Sequence, residues 1–153
     1  TRKRLWPLLF RLLPALACAG SRQPLAADDV AALLKPPAHG ERISSLWALD
    51  CAYCEPNLHA LARLQGQHPG EIELVLVTTD GIEQAATIEA RLRGMKMDGY
   101  PNRAYAEASP ERINFLLDPH WGGETPRVLV IRADGSRLGI SGALTPAQLR
   151  KLL

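Results

Sequence analysis

Cys51 and Cys54, in the run Ser45-Leu46-Trp47-Ala48-Leu49-Asp50-Cys51-Ala52-Tyr53-Cys54, are the residues whose type and spacing most plainly carry chemistry. Two cysteines with two residues between them can close a small disulfide ring or share a metal. Position bears on the choice: an apolar run that reads as a strand precedes them, and a segment that reads as a helix follows. A thiol at a helix N-terminus meets unpaired N–H groups and the positive end of the helix dipole, which favour the thiolate, the nucleophilic form of sulfur. A purely structural disulfide is the bland alternative, although so short a ring removes little chain entropy. Zinc would need two more ligands, and His59 falls about 140° around the helix from Cys54 at roughly 100° per residue.

Helical spacing gives the two cysteines different jobs. From Cys54, Leu58 and Leu61 fall at i+4 and i+7, so Cys54 heads the apolar stripe that should face a core. Cys51 lies about 60° from that stripe, with better access to solvent. Cys51 is therefore the predicted nucleophile and Cys54 the resolving thiol. Asp50 precedes Cys51 and Glu55 follows Cys54; both are negative and should raise the thiol pKa against the dipole. At ~6 Å, with an effective dielectric of about 20 to 80, one such charge is worth roughly 0.7 to 3 kcal/mol. A less stabilised thiolate disfavours the reduced form, so the pair leans toward reducing other disulfides. Glu55 reads equally well as a solvated helix charge.

The elements around the pair come from the rest of the chain. Its 153 residues predict one domain with a real core. The net charge is +2, but Arg2, Lys3, Arg4 and Arg11 lie in a first stretch of 20 residues that holds no acid; the remainder carries 14 basic residues (18 − 4) against 16 acidic, or −2. Nothing in that remainder suggests a nucleic-acid surface. Residues 1–20 read as an export signal: a positive Arg2-Lys3-Arg4 start, an apolar stretch from Leu5 to Ala17 broken by Pro7, Arg11 and Pro14, then small residues to Gly20. An amphipathic helix of the folded domain is the competing reading. Cys18 is the odd cysteine. Ala15-Leu16-Ala17-Cys18 resembles a bacterial lipoprotein cleavage box, with Ala15 where Leu is usual, and would lipidate Cys18; an Ala-x-Ala cleavage site is the alternative. Both imply the periplasm or cell envelope, where disulfides persist.

Residues 21–40 read as a connector with a helical patch from Asp28 to Leu34. Glu41 to Leu49 gives the first core strand, Cys51 to Gln67 a helix, Ile72 to Val77 a β-branched strand closed by Asp80, and Ile82 to Arg93 a helix. Residues 94–124 look like a variable insert, with Glu111 to Leu117 short helix or extended chain. Met95 and Met97 read as core or loop packing. Arg127 to Arg132 and Leu138 to Ser141 form a hairpin around Asp134-Gly135. Thr145-Pro146 then starts a last helix, with Thr as N-cap and Pro at N1.

That order, with Trp47-Ala48-x-x-Cys51-x-x-Cys54 at the first strand-to-helix junction, Asp80, Thr125-Pro126 before the hairpin and Gly142 before the last helix, resembles the thioredoxin fold over roughly residues 40 to 153. The export signal narrows the resemblance to periplasmic TlpA-like and Dsb-type thiol–disulfide oxidoreductases. It implies an α/β domain over 41–153 with a central mixed sheet of about four strands flanked by helices. It also implies a cis-proline at Pro126 beside the disulfide, with the Thr125 backbone binding a substrate chain. The implied activity needs no cofactor and no metal beyond the Cys51–Cys54 disulfide. The partners expected are protein or cytochrome thiol–disulfide substrates and a membrane redox protein, with the chain itself a monomer. TlpA-like proteins usually carry Trp where Asp50 stands, and Dsb-type isomerases also carry Tyr before the second cysteine. His120-Trp121-Gly122-Gly123 could rim the site or form a surface loop. Copper-delivering relatives pair two cysteines with a distant histidine, so His120 keeps a copper-binding or adaptor domain as the alternative; their cysteines have three residues between them, where this chain has two.

Overall fold

The computed structural model describes residues 23–153, so the predicted signal and Cys18 lie outside the described residues. Six strands form one mixed sheet: β1 (Gln23–Leu25), β2 (Glu41–Trp47), β3 (Ile72–Gly81), β4 (Asn102–Tyr105), β5 (Arg127–Arg132) and β6 (Arg137–Ser141), in the order β1-β4-β3-β2-β5-β6. The first four are parallel in the sheet, β5 runs antiparallel to β2, and β6 runs antiparallel to β5. The helices are α1 (Val30–Leu34), α2 (Cys54–Gln67), α3 (Ala85–Gly94), α4 (Pro110–Leu117) and α5 (Pro146–Arg150).

The sheet is thus larger than the four strands expected from sequence. β4 hides among the turn signals of Gly99 and Pro101, and its polar Asn102-Arg103 breaks the alternation that marks a strand. β1 is three residues long and contains Pro24, which an edge position tolerates. Residues 23–34, read as connector, instead pack into the fold: Leu25, Val30 and Leu33 are buried. The segment Glu111 to Leu117 is helical within α4, begun by Pro110 at its first position.

Side chains alternate across the sheet, as a pleated strand requires. On one face Ile43, Trp47, Leu74, Leu76, Val128 and Val130 pack with Leu58 and Leu61 of α2, Ile88 and Leu92 of α3, and Leu152. On the other, Leu46, Val75, Val77, Leu129 and Ile131 pack with Val30 and Leu33 of α1 and Ile113 and Leu117 of α4. Burying each such side chain contributes about 1.5–3 kcal/mol. α5 begins as expected: the Thr145 hydroxyl accepts from the Gln148 N–H (3.1 Å), and the Gln148 side chain accepts from the Thr145 N–H (2.9 Å).

Candidate active site

The helix starts three residues later than its sequence suggests. Cys51, Ala52 and Tyr53 form a turn in which the Cys51 N–H donates to the Ala48 carbonyl (3.2 Å) and the Cys54 N–H to the Cys51 carbonyl (3.5 Å). α2 opens at Cys54, with Pro56 in its first turn, where no helical N–H is lost. The angular argument therefore does not apply to Cys51, but the difference in access stands. Cys54 is 2% exposed and joins the core, Cys51 is half-buried, and Tyr53 between them is 70% exposed. The two sulfurs are bonded, with the Cα atoms 5.5 Å apart, at the positive end of α2.

Two contacts, one buried and one half-buried, position the turn. Trp47 is 1% exposed, and its Nε1 donates to Asn102 Oδ1 (3.1 Å), so it is core rather than contact surface. Asp80 Oδ2 accepts from the Leu49 N–H (2.8 Å) and from the Thr78 hydroxyl (2.7 Å), and the Thr78 oxygen accepts in turn from the Asp80 N–H (3.2 Å). Asp80 sits within a register irregularity of β3 between Thr78 and Gly81, the kind of local kink that re-aims a side chain. It is the anchor of the backbone entering the cysteine turn.

Thr125 and Pro126 reach the same end of the sheet. β5 pairs antiparallel with β2, Arg127 opposite Leu46, so the next step of the register sets Pro126 against Trp47. The Thr125–Pro126 peptide bond is cis. Pro126 is buried and Thr125 half-buried. The Gly142 N–H donates to the Pro126 carbonyl (2.9 Å). The residues flanking the dipeptide converge on one hydroxyl: Ser141 Oγ accepts from Arg127 Nη1 (2.7 Å) and donates to Glu124 Oε1 (2.8 Å). The Arg127 guanidinium also pairs with Asp118 and lies 6.0 Å from the Trp121 ring centroid. The hydrogen bond from Ser141 holds the Glu124 carboxyl below the usual range. Burial pushes Asp118 up, but hydrogen bonds from Arg127 and the His120 N–H outweigh it and leave that carboxyl lowered.

The fold thus brings Cys51, Cys54, Thr125 and Pro126 to one end of the sheet. Asp50 is exposed beside Cys51. Glu55 stands 3.7 Å from Arg91 of α3, so a cation offsets its field at the sulfurs. Trp121 is 5% exposed and packs on the α1/α4 face, with its Nε1 donating to the Glu124 carbonyl (2.8 Å), so it does not rim the cysteines; His120 is exposed in the loop beside it. His59 is held through Nε2 on the Met95 carbonyl (2.8 Å), and Met95 and Met97 are core. Among the described residues, no group of three or more His, Cys, Asp or Glu side chains is arranged to hold a metal ion. Sequence reading missed Asn57 and Ser141. Asn57 leaves a trace, a polar residue one turn beyond Cys54 at the edge of an apolar stripe; Ser141 leaves none.

No protein-family model matches the chain. Its fold is that of thioredoxin-like thiol–disulfide oxidoreductases. It superimposes with a TM-score of 0.57 on a secreted Mycobacterium tuberculosis disulfide oxidoreductase homologous to E. coli DsbE, at 15% identity over 74% of this chain and 79% of that one. A thioredoxin-family thiol:disulfide interchange protein from Chlorobium tepidum gives 0.57 at 20% identity, over 80% and 81%. StoA from Bacillus subtilis gives 0.55 at 17%, over 76% and 84%. In sequence, 118 residues are 28% identical to part of the E. coli DNA primase TraC, a stretch that is 77% of this chain and 7% of the primase.

Proposed function

We propose that the protein is an exported thiol–disulfide oxidoreductase that exchanges the Cys51–Cys54 disulfide with protein or cytochrome substrates and leans toward reduction. The observation that carries this reading is the unequal pair itself: a half-buried Cys51 in a turn bonded to a buried Cys54 at the first residue of α2. In the reduced protein the Cys51 thiolate attacks one sulfur of a substrate disulfide. A Cys51–substrate bond forms as the substrate S–S bond breaks, and the other substrate sulfur leaves as a thiol. Cys54 then attacks the Cys51 sulfur, re-forming the disulfide and releasing the second substrate thiol. Two electrons pass to the substrate, and a membrane dithiol donor returns them to the pair. Thr125 and Pro126 supply the backbone along which a substrate chain lies.

The exposed Asp50 supports the reductase lean, because an anion beside Cys51 opposes its thiolate; Glu55 adds less, since Arg91 offsets it. The signal-like residues 1–20, whose ending fits either lipidation at Cys18 or an Ala-x-Ala cleavage, support a periplasmic or envelope location, and among the described residues no helix is long and apolar enough to cross a membrane. Insulin reduction and glutathione equilibration test the activity and its direction. The reading expects insulin reduction and a potential well below about −120 mV, the value of a strong oxidant. Cys54→Ala should trap mixed disulfides and Cys51→Ala should not; the reverse pattern overturns the assignment of roles.

A further inference from the structure

The loop carrying Pro126 and the helix carrying Cys54 are distant in sequence, and one side chain ties them together. Asn57, one turn beyond Cys54, is 3% exposed. Its Nδ2 donates to the Gly142 carbonyl (3.0 Å) and its Oδ1 accepts from the Leu144 N–H (2.9 Å). The Gly142 N–H in turn donates to the Pro126 carbonyl (2.9 Å). Pro126, Gly142 and Asn57 are therefore linked in series, Gly142 bonding the proline through its N–H and the Asn57 amide through its carbonyl. Gly142 completes the series from the left-handed region (φ 89°), where glycine carries no steric cost. Burying a polar amide is unfavourable unless its donor and acceptor are both used, and here both are used on this one strap.

We propose that Asn57 is a positioning residue for disulfide exchange. It sets the N-terminal end of α2 against the Thr125–Pro126 loop, so that a substrate chain laid along the loop presents its sulfur to Cys51. The inference rests on the exchange reading above. A small disulfide reagent needs only an accessible Cys51, whereas a peptide disulfide needs the loop in register with it. The ratio of the two rates cancels any change in the nucleophilicity of Cys51 itself.

The test compares reduced wild-type protein with Asn57→Ala and Asn57→Asp from pH 4 to pH 8, using a small aromatic disulfide and a peptide disulfide, with far-UV circular dichroism to confirm folding. Asn57→Ala should lose roughly 10- to 100-fold against the peptide and less than about twofold against the small reagent. Asn57→Asp should match Asn57→Ala at neutral pH, because a carboxylate cannot donate to the Gly142 carbonyl. It should approach the wild-type rate ratio as the carboxyl gains a proton, with no such trend in Asn57→Ala. Equal losses toward both disulfides, or no loss toward the peptide, overturn the inference. If Asn57→Ala does not fold, Asn57→Ser, too short to span both partners, is read by the same criteria. A wild-type protein that reacts with neither disulfide sinks the exchange reading itself, an outcome distinct from a wild type that reacts and an Asn57 variant that equals it.

Discussion

Removing the Asp80 carboxylate should unfold the protein at markedly lower denaturant, and replacing it with the isosteric amide should not. Both of its bonds, from the Leu49 N–H at 2.8 Å and the buried Thr78 hydroxyl at 2.7 Å, converge on the same oxygen, Oδ2. A hydrogen bond to a charged acceptor contributes about 1.5–3 kcal/mol net, so two would give roughly 3–6 kcal/mol. Asp80 is only half-buried, and water can replace part of the Leu49 bond, which brings the expectation for Asp80→Ala to about 2–4 kcal/mol. Asp80→Asn keeps an oxygen with two lone pairs in the same place. It forfeits only the charge assistance, roughly half of each bond, and should cost about 1–2 kcal/mol. Urea unfolding of the oxidised proteins at pH 7, followed by tryptophan fluorescence, reads the difference. At a slope of about 2 kcal/mol per M, Asp80→Ala should move the midpoint down by ~1–2 M with the slope unchanged, and Asp80→Asn by less than ~1 M. Equal shifts would show that charge, not acceptor geometry, holds the Leu49 backbone. No shift in Asp80→Ala would show that the anchor does not exist.

Two other perturbations follow from groups held under constraint. Glu41, 6% exposed at the start of β2, has its carboxyl pKa raised by burial, against the opposing pull of Arg132 and His68, and its Oε1 has no hydrogen-bond partner. Because the folded value lies above the unfolded one, this group's contribution is most favourable below the unfolded value, 4.5, and is lost as pH rises through the folded value. Glu41→Gln should therefore raise the urea midpoint at pH 7 and leave it unchanged near about pH 4; a lower midpoint at pH 7 contradicts the reasoning. At Gly139 a methyl group would clash with Arg127 Nη2 and come within 3.2 Å of Asp118 Oδ2. Gly139→Ala should cost about 1–3 kcal/mol by displacing the guanidinium from Ser141 and Asp118. In an Arg127→Ala background the same substitution should cost almost nothing, and additive costs would refute the clash.

The order of elements around the cysteines is legible because it is written in local signals: β-branched strands at β3 and β5, Asp134-Gly135 at the hairpin, Thr145-Pro146 at α5. β1 and β4 carry no such signal. Each is short, and each is a strand because a neighbour supplies the pairing, Arg103 opposite Gln23 and Asn102 opposite Leu76. The start of α2 falls later than the sequence suggests for a local reason. Cys51-Ala52-Tyr53 holds no residue that forbids a helix, but Pro56 has no N–H to give the Ala52 carbonyl, so the helix opens at Cys54, where the proline falls in its first turn. Trp121 beside His120 suggested a contact surface by composition, yet α4 covers it on the far face of the sheet. The sequence cannot report which face a loop aromatic meets.

Register explains why residues 75 positions apart in sequence lie at one end of the sheet. Counting outward from the Leu46–Arg127 pair, the cysteine turn departs from the end of β2 where Pro126 enters β5. A slip by one residue would turn Val128 and Val130 from the Trp47 face to the α1/α4 face, so the two-sided core fixes the position of the proline as firmly as it fixes its own packing. Sheet register sets the loop only along the strand direction. Its height above the sheet, toward the sulfurs, needs restraints from outside the ladder. Ser141 provides them by gripping Glu124 and Arg127 on either side, and Gly142 by gripping the Pro126 carbonyl. The strap that does so hangs from α2 through Asn57. The cysteine pair and the proline loop are therefore held in two independent ways, by core packing along the strand and by polar side chains across it. Substitutions in the second set should alter exchange with large substrates before they alter the fold.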